Sequence, residues 1–159
     1  MTRASLERAV PADDRLLLDS SCLISHLDGS EAASPLAAHV IDTLVRSGRN
    51  RATVAMVSVM EILVRPRRRT LEEYEHVLDF LKHHLDLKPQ PIALPVAQEA
   101  ATMRAAFGFA TPDALVIATG VVSQVTHLVT CDATWKTKLA GHRMSRRIRV
   151  VHLPDHLPA

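Results

Sequence analysis

Short unbroken apolar runs recur along this chain, each followed by a segment with helical punctuation. The runs are Arg15-Leu-Leu-Leu-Asp19, Ala52-Thr-Val-Ala-Met-Val57, Ile92-Ala-Leu94, His127-Leu-Val-Thr130 and the stretch from Arg147 to Leu153. A strand with one wet face alternates apolar and polar residues, whereas a strand covered on both faces does not. Continuous runs interleaved with helices therefore predict an α/β domain whose parallel sheet carries helices on both sides. The crossovers between its strands are expected to be right-handed.

The helical segments have recognisable ends. Ser20 to Leu27 stops at Asp28-Gly29. Ser34-Pro35 reads as N-cap and first helical residue of a helix that ends near Gly48. Ser58 to Val64 is expected to break at Pro66, and Thr70 opens a helix to about Leu85 with Glu73 at the capping-box position. Further helices are expected from Pro95 to Phe107, from Thr111 toward Ser123 and from Ala133 to Leu139. Residues 1–14 read as an N-terminal arm, and residues 15–159 as one domain, a size that supports a full core.

Four acids occupy comparable places in this frame. Asp19 closes the first strand, Glu61 lies in the first turn after the second, Asp113 lies in the first turn of a helix, and Asp132 follows the fourth strand. Taken singly, each also fits a structural role. Asp19 and Asp132 suit N-caps, Ser58-Val-Met-Glu61 matches a capping box, and Asp113 suits the helix dipole. Taken together, the acids gather at one rim, because ligands of an open parallel sheet bind beyond the carboxyl ends of its strands. Carboxylates crowded there repel one another unless a cation is present, and an all-oxygen donor set suits a hard ion such as Mg²⁺ or Mn²⁺. Such an ion activates water and stabilises the charge of a phosphodiester transition state.

Other chemistries find less support. Cys22 and Cys131 form neither a disulfide framework nor a CxxC pair. The nine histidines include no HExxH, and Ser20-Ser21 lacks the GxSxG setting of a hydrolase nucleophile. Aromatic residues make up only 3%, too few for a base-stacking platform. A net charge of +2 does not by itself argue for nucleic-acid binding, but Arg65-Pro-Arg-Arg-Arg69 and Arg143-Met-Ser-Arg-Arg-Ile-Arg149 concentrate the positive charge. Arg67, Arg68 and Arg69, just beyond Glu61, are candidates for gripping RNA phosphates. No apolar run approaches a membrane span, and the charged N-terminus lacks the apolar core of a secretory signal, so a cytoplasmic location is expected.

In order, Leu16-Leu-Leu-Asp19-Ser-Ser, Val57-Ser-Val-Met-Glu61-Ile-Leu, Thr111-Pro-Asp113-Ala-Leu-Val-Ile-Ala118 and Leu128-Val-Thr-Cys-Asp132-Ala-Thr-Trp135 resemble the four successive motifs of PIN domains, VapC-type toxins in particular. The resemblance spans residues 15 to about 153. It implies a three-layer α/β/α fold with strand order 3-2-1-4-5 and Mg²⁺- or Mn²⁺-dependent endoribonuclease activity. It implies a homodimer and a small antitoxin partner, as in a type II toxin–antitoxin pair. Asp19, Glu61, Asp113 and Asp132 would be the catalytic and metal-binding acids, with Ser20 and Thr130 as hydroxyls that orient them. Cys131 stands where Asn is frequent in the family, and Trp135 where Phe is frequent. Two alternatives stay open: an RNA-processing PIN nuclease without an antitoxin, and a non-catalytic PIN scaffold.

Overall fold

The computed structural model describes residues 2–84, 86–140 and 146–158. Leu85, the expected end of one helix, and the first residues of the basic run beginning at Arg143 lie outside the described residues. Five strands form one sheet: β1 (Arg15–Leu18), β2 (Arg51–Ala55), β3 (Leu87–Gln90), β4 (His127–Thr130) and β5 (Arg149–His152). Their order is 3-2-1-4-5, and every pairing is parallel. This is the α/β/α architecture and strand order expected from the sequence.

The sheet separates two cores. Leu16 and Leu18 face one, and Leu17, between them, faces the other. All three are fully buried, which is why β1 reads as an unbroken apolar run rather than an alternating one. On the first face lie α1 (Thr2–Ala9), α2 (Ser20–Asp28), α3 (Ser34–Ala38) with a π-helical continuation over His39–Val45, α4 (Met56–Arg69) and α5 (Leu71–His83). On the second lie α6 (Leu94–Phe107), α7 (Thr111–Val122) and α8 (Thr134–Leu139). Helix α7 approaches the sheet closely at Gly120. A Cβ there would come within 2.9 Å of Val125, 3.0 Å of Leu17 and 3.1 Å of Ile148.

Two local expectations are corrected. The third strand is Leu87–Gln90, not Ile92–Leu94. Ala52 to Ala55 pair with residues 87–90, while Ile92 and Leu94 remain 47% and 71% exposed. β3 is an edge strand. It needs neither two apolar faces nor every N–H, so it tolerates Pro89 and gives a weak apolar signal. The second correction is that Pro66 does not end its helix. Helix α4 runs through it to Arg69, burying Ile62 and packing against α5. Three arginines in the last turn complement the negative end of the helix dipole there.

The N-terminal arm is docked. Leu6 and Val10 are fully buried. Arg49 donates to the carbonyl of Val10 at 2.9 Å, and Asn50 donates to Pro11 and Asp14 at 2.7 and 3.1 Å. Ser5 meets His156 of the C-terminal 3-10 turn at 3.0 Å.

Candidate active site at the carboxyl rim of the sheet

Asp19 follows β1 directly, beside the end of β4, to which its N–H donates through the Val129 carbonyl. It occupies the N-cap position of α2, yet its side chain makes no capping bond. Instead its Oδ2 accepts from Ser21 Oγ at 2.8 Å and from Thr130 Oγ1 at 2.9 Å. Each hydroxyl in turn accepts one backbone N–H, that of Cys131 on Ser21 and that of Asp132 on Thr130. One carboxylate oxygen is thereby fixed across the β1–β4 seam. Among the described hydrogen bonds Oδ1 has none, though Asp19 is 6% exposed. A carboxylate with one oxygen fixed and the other without a hydrogen bond among the described residues is oriented to meet a ligand at the rim.

Asp132 sits three residues beyond Val129, on the same rim. Its Oδ1 accepts from the Thr134 N–H at 2.8 Å and its Oδ2 from the Thr134 hydroxyl at 2.6 Å. The Thr134 hydroxyl is the main reason its carboxyl stays below the usual carboxylate range. Slight burial opposes this, and the Thr134 N–H and the charges of Lys138 and His152 assist. Asp113, in the first turn of α7, pairs with Lys138 Nζ at 2.9 Å. Lys138 lies on α8, so it joins Asp113 electrostatically to Asp132.

Glu61 lies in α4 beyond the end of β2, and the expected capping box is absent. The N-cap of α4 is Ala55, and the Ser58 hydroxyl is buried without a partner among the described residues. Glu61 lines a cleft of about 690 Å³ between α2, α4 and α5, with Ile62, Arg65, Arg69 and His76 on its walls. Asp19, Asp113 and Asp132 do not line this cleft.

The structure thus joins Asp19, Thr130 and Asp132 in one hydrogen-bonded set, while Asp113 is paired with Lys138. Among the described residues, no group of three or more Asp, Glu, His or Cys side chains is close enough to hold an ion as it stands. The donor chemistry nonetheless fits a hard divalent cation. The acids offer only oxygen, Asp19 keeps one oxygen unengaged, and a cation already answers Asp113.

Two residues of the site escaped the sequence. The hydroxyl on Asp19 besides Thr130 is that of Ser21. Ser20, the first residue of α2, is half-buried and makes no side-chain hydrogen bond among those described. Adjacent serines look alike in a motif, and only the direction of α2 separates them. Lys138 lies three residues beyond Trp135, the end of the fourth motif, and its signal is a lysine in the short helix that follows Asp132.

The basic run has mostly found partners within the chain. Arg65 pairs with Asp28 at 3.1 Å, Arg67 lies over the Tyr74 ring at 5.1 Å, and Arg69 reaches Glu73 at 3.8 Å. Arg68 is exposed and has no partner among the described residues.

Comparison with known proteins agrees with this fold. No curated protein matches the chain in sequence. Among solved structures, a toxin–antitoxin complex from Klebsiella pneumoniae superposes with a TM-score of 0.62 at 17% identity, covering 87% of this chain and 97% of that one. VapBC2 from Rickettsia felis, bound to a DNA fragment from its promoter, gives 0.64 at 10% identity, covering 87% and 98%. VapC20 from Mycobacterium tuberculosis, a Sarcin-Ricin loop cleaving toxin, gives 0.61 at 11% identity, covering 77% and 93%. At these identities the likeness is one of fold. The family model of the PIN domain matches residues 16–138, a span that runs from β1 to Lys138 and holds all four acids. A match of that extent, on a sheet of this order, makes the chain a member of the PIN domain family.

Proposed function

We propose that this chain is a Mg²⁺- or Mn²⁺-dependent endoribonuclease and the toxin of a type II toxin–antitoxin pair. The observation that carries the reading is Asp19, a buried carboxylate anchored through one oxygen to Ser21 and Thr130 at the strand-end rim, with the other oxygen free of hydrogen bonds among the described residues. Asp19, Glu61, Asp113 and Asp132 are the acids assigned to metal and catalysis. A divalent ion held by these acids would make a bound water more acidic and would supply positive charge beside the scissile phosphate. The chain's own contribution is orientation. Ser21 and Thr130 keep Asp19 from rotating, and Thr134 keeps Asp132 ionised and aimed. Arg68, free and exposed in the last turn of α4, is the best placed of Arg67, Arg68 and Arg69 to meet the RNA backbone.

The antitoxin partner draws support from the folds this chain resembles, which were solved as toxin–antitoxin complexes. The cleft beside Glu61 is the site proposed for it, and a second copy of the chain completes the assembly. The test is cleavage of a long RNA by the purified protein with Mn²⁺ or Mg²⁺. Cleavage is expected to stop in EDTA and in Asp19→Asn, with the melting temperature of the metal-free variant no lower than that of the wild type. Full cleavage by Asp19→Asn would overturn the assignment.

A further inference from the structure

Lys138 is the only cation within hydrogen-bond distance of any of the four acids among the described residues. Its Nζ lies 2.9 Å from Asp113 Oδ2. Its position is built rather than incidental. The ammonium also lies 4.8 Å from the centre of the Trp135 ring, so a cation–π contact steadies it on α8. The side chains of Lys138 and Asp113 are 33% and 24% exposed, a site partly withdrawn from solvent and less screened than an open surface pair. The neighbouring Lys136 turns the other way, to Asp155 of the C-terminal turn at 2.5 Å, as residues two apart on a helix must.

An ammonium and a divalent ion answer the same need, positive charge between carboxylates that otherwise repel. They cannot both sit against Asp113 without repelling each other.

We propose that Lys138 is the resident cation of the acid rim: it neutralises Asp113 in the metal-free protein, and a divalent ion must displace it to engage that carboxylate. Lys138 is then a positioning residue that sets the ion concentration at which the site loads. Two consequences follow. The metal-free rim is held in order without any ion, and weak ligands are excluded until the ion is abundant enough to win Asp113. This inference rests on the assignment of Asp113 to the metal site.

The experiment is a thermal-melting titration of the full chain with MnCl₂ alone, read as the Mn²⁺ concentration that gives half the maximal shift in melting temperature. Four proteins are compared with the wild type: Lys138→Gln, Lys138→Arg, Lys136→Gln and Asp113→Asn. Removing a competing charge worth as much as a partly exposed ion pair is expected to lower the half-shift concentration by about threefold. Lys138→Gln should show that decrease together with a lower melting temperature without metal. Lys138→Arg, which keeps the charge, and Lys136→Gln, whose charge lies elsewhere, should titrate like the wild type. Asp113→Asn should weaken the response. If Lys138→Gln loses stability but keeps the wild-type half-shift concentration, Lys138 is a structural ion pair only and the proposal fails while the metal site stands. If no protein responds to Mn²⁺, the metal site itself fails and the proposal with it.

Discussion

The hydroxyl of Thr130 and the carboxylate of Asp19 are 111 residues apart in the chain and 2.9 Å apart in space. The bond closes the seam between β1, the central strand, and its neighbour β4, at the end where Asp19 and Asp132 lie. The same oxygen of Thr130 accepts the Asp132 N–H, so one side chain sets the positions of two of the four acids.

Thr130→Val keeps the shape of the residue and removes both bonds. A buried carboxylate loses a donor and a backbone N–H loses its acceptor, at a cost of about 1–3 kcal/mol. In a domain of this size the melting temperature should fall by about 2–4 °C per kcal/mol. RNA cleavage should fall with it, because Asp19 is then held by Ser21 alone. Unchanged melting and unchanged cleavage would show that Thr130 orients nothing.

Gly120 tests how tightly α7 carries Asp113 against the sheet. A Cβ would meet Val125, Leu17 and Ile148, all buried, at 2.9–3.1 Å. Gly120→Ala gains helix propensity but must push α7 outward, and overpacking of this kind costs about 1–3 kcal/mol. Chemical denaturation should show a lower midpoint with an unchanged slope. A midpoint equal to or above that of the wild type would mean that the helix–sheet spacing yields freely.

The buried histidines make the fold sensitive to acid. His84 is buried, its ring nitrogens have no partner among the described residues, and Phe80 lies against it. Burial pushes its pKa below the ordinary value of 6.5; Arg46 assists, and Asp86 and Asp42 oppose. Burial likewise lowers His26, against the pull of Asp42 and with help from His84 and Arg46. Below pH 6.5 the unfolded chain therefore binds more protons than the native one. The stability is present above 6.5 and is lost as the pH falls through the lowered native values. His84→Leu should shrink that loss and raise stability at mildly acidic pH, measured by urea unfolding at a series of pH values. A variant that loses stability as steeply as the wild type would place the sensitivity elsewhere.

Charge reversal at Arg67, Arg68 and Arg69 should weaken RNA binding for all sequences alike and flatten its salt dependence. Arg68→Glu alone should account for most of the effect. Arg67 and Arg69 already face Tyr74 and Glu73, and each would have to leave that partner to meet a phosphate. Fluorescence anisotropy with a labelled RNA at several salt concentrations reads both quantities. An unchanged salt slope would make this turn an ordinary solvated helix end.

The sheet was legible in the sequence where it is buried on both sides. β1 and β4 are buried on both faces, so their runs stand out, whereas β3 is an edge strand with Lys88 and Pro89 inside it, and the more apolar Ile92–Leu94 beyond it is not part of the sheet. Helix α4 was expected to stop at Pro66 because the local rule is strong. Packing of Ile62 and contact with α5 carry the helix past it. The four acids stand out in the sequence because their order and spacing repeat a family pattern. Their partners do not. Whether Ser20 or Ser21 reaches Asp19, and whether a lysine reaches Asp113, depends on where two helices point. No spacing along the chain records that.

Expression of the wild-type chain alone should arrest bacterial growth, and co-expression of a small protein encoded beside it should relieve the arrest. Asp19 and Asp132 lie together at the strand-end rim, each beside Thr130. A ribonuclease active in the cell needs restraint from outside. A partner seated in the cleft beside Glu61 would cover that acid, and a basic side chain reaching from it toward the rim would meet further carboxylates, where charge complementarity favours rapid capture. The control is Asp19→Asn, which should be harmless yet still bind the partner, because one lost carboxylate leaves the cleft unaltered. Growth curves and co-purification read the two properties separately. If the wild type proves as harmless as Asp19→Asn while cutting RNA in vitro, the chain is an RNA-processing nuclease rather than a toxin.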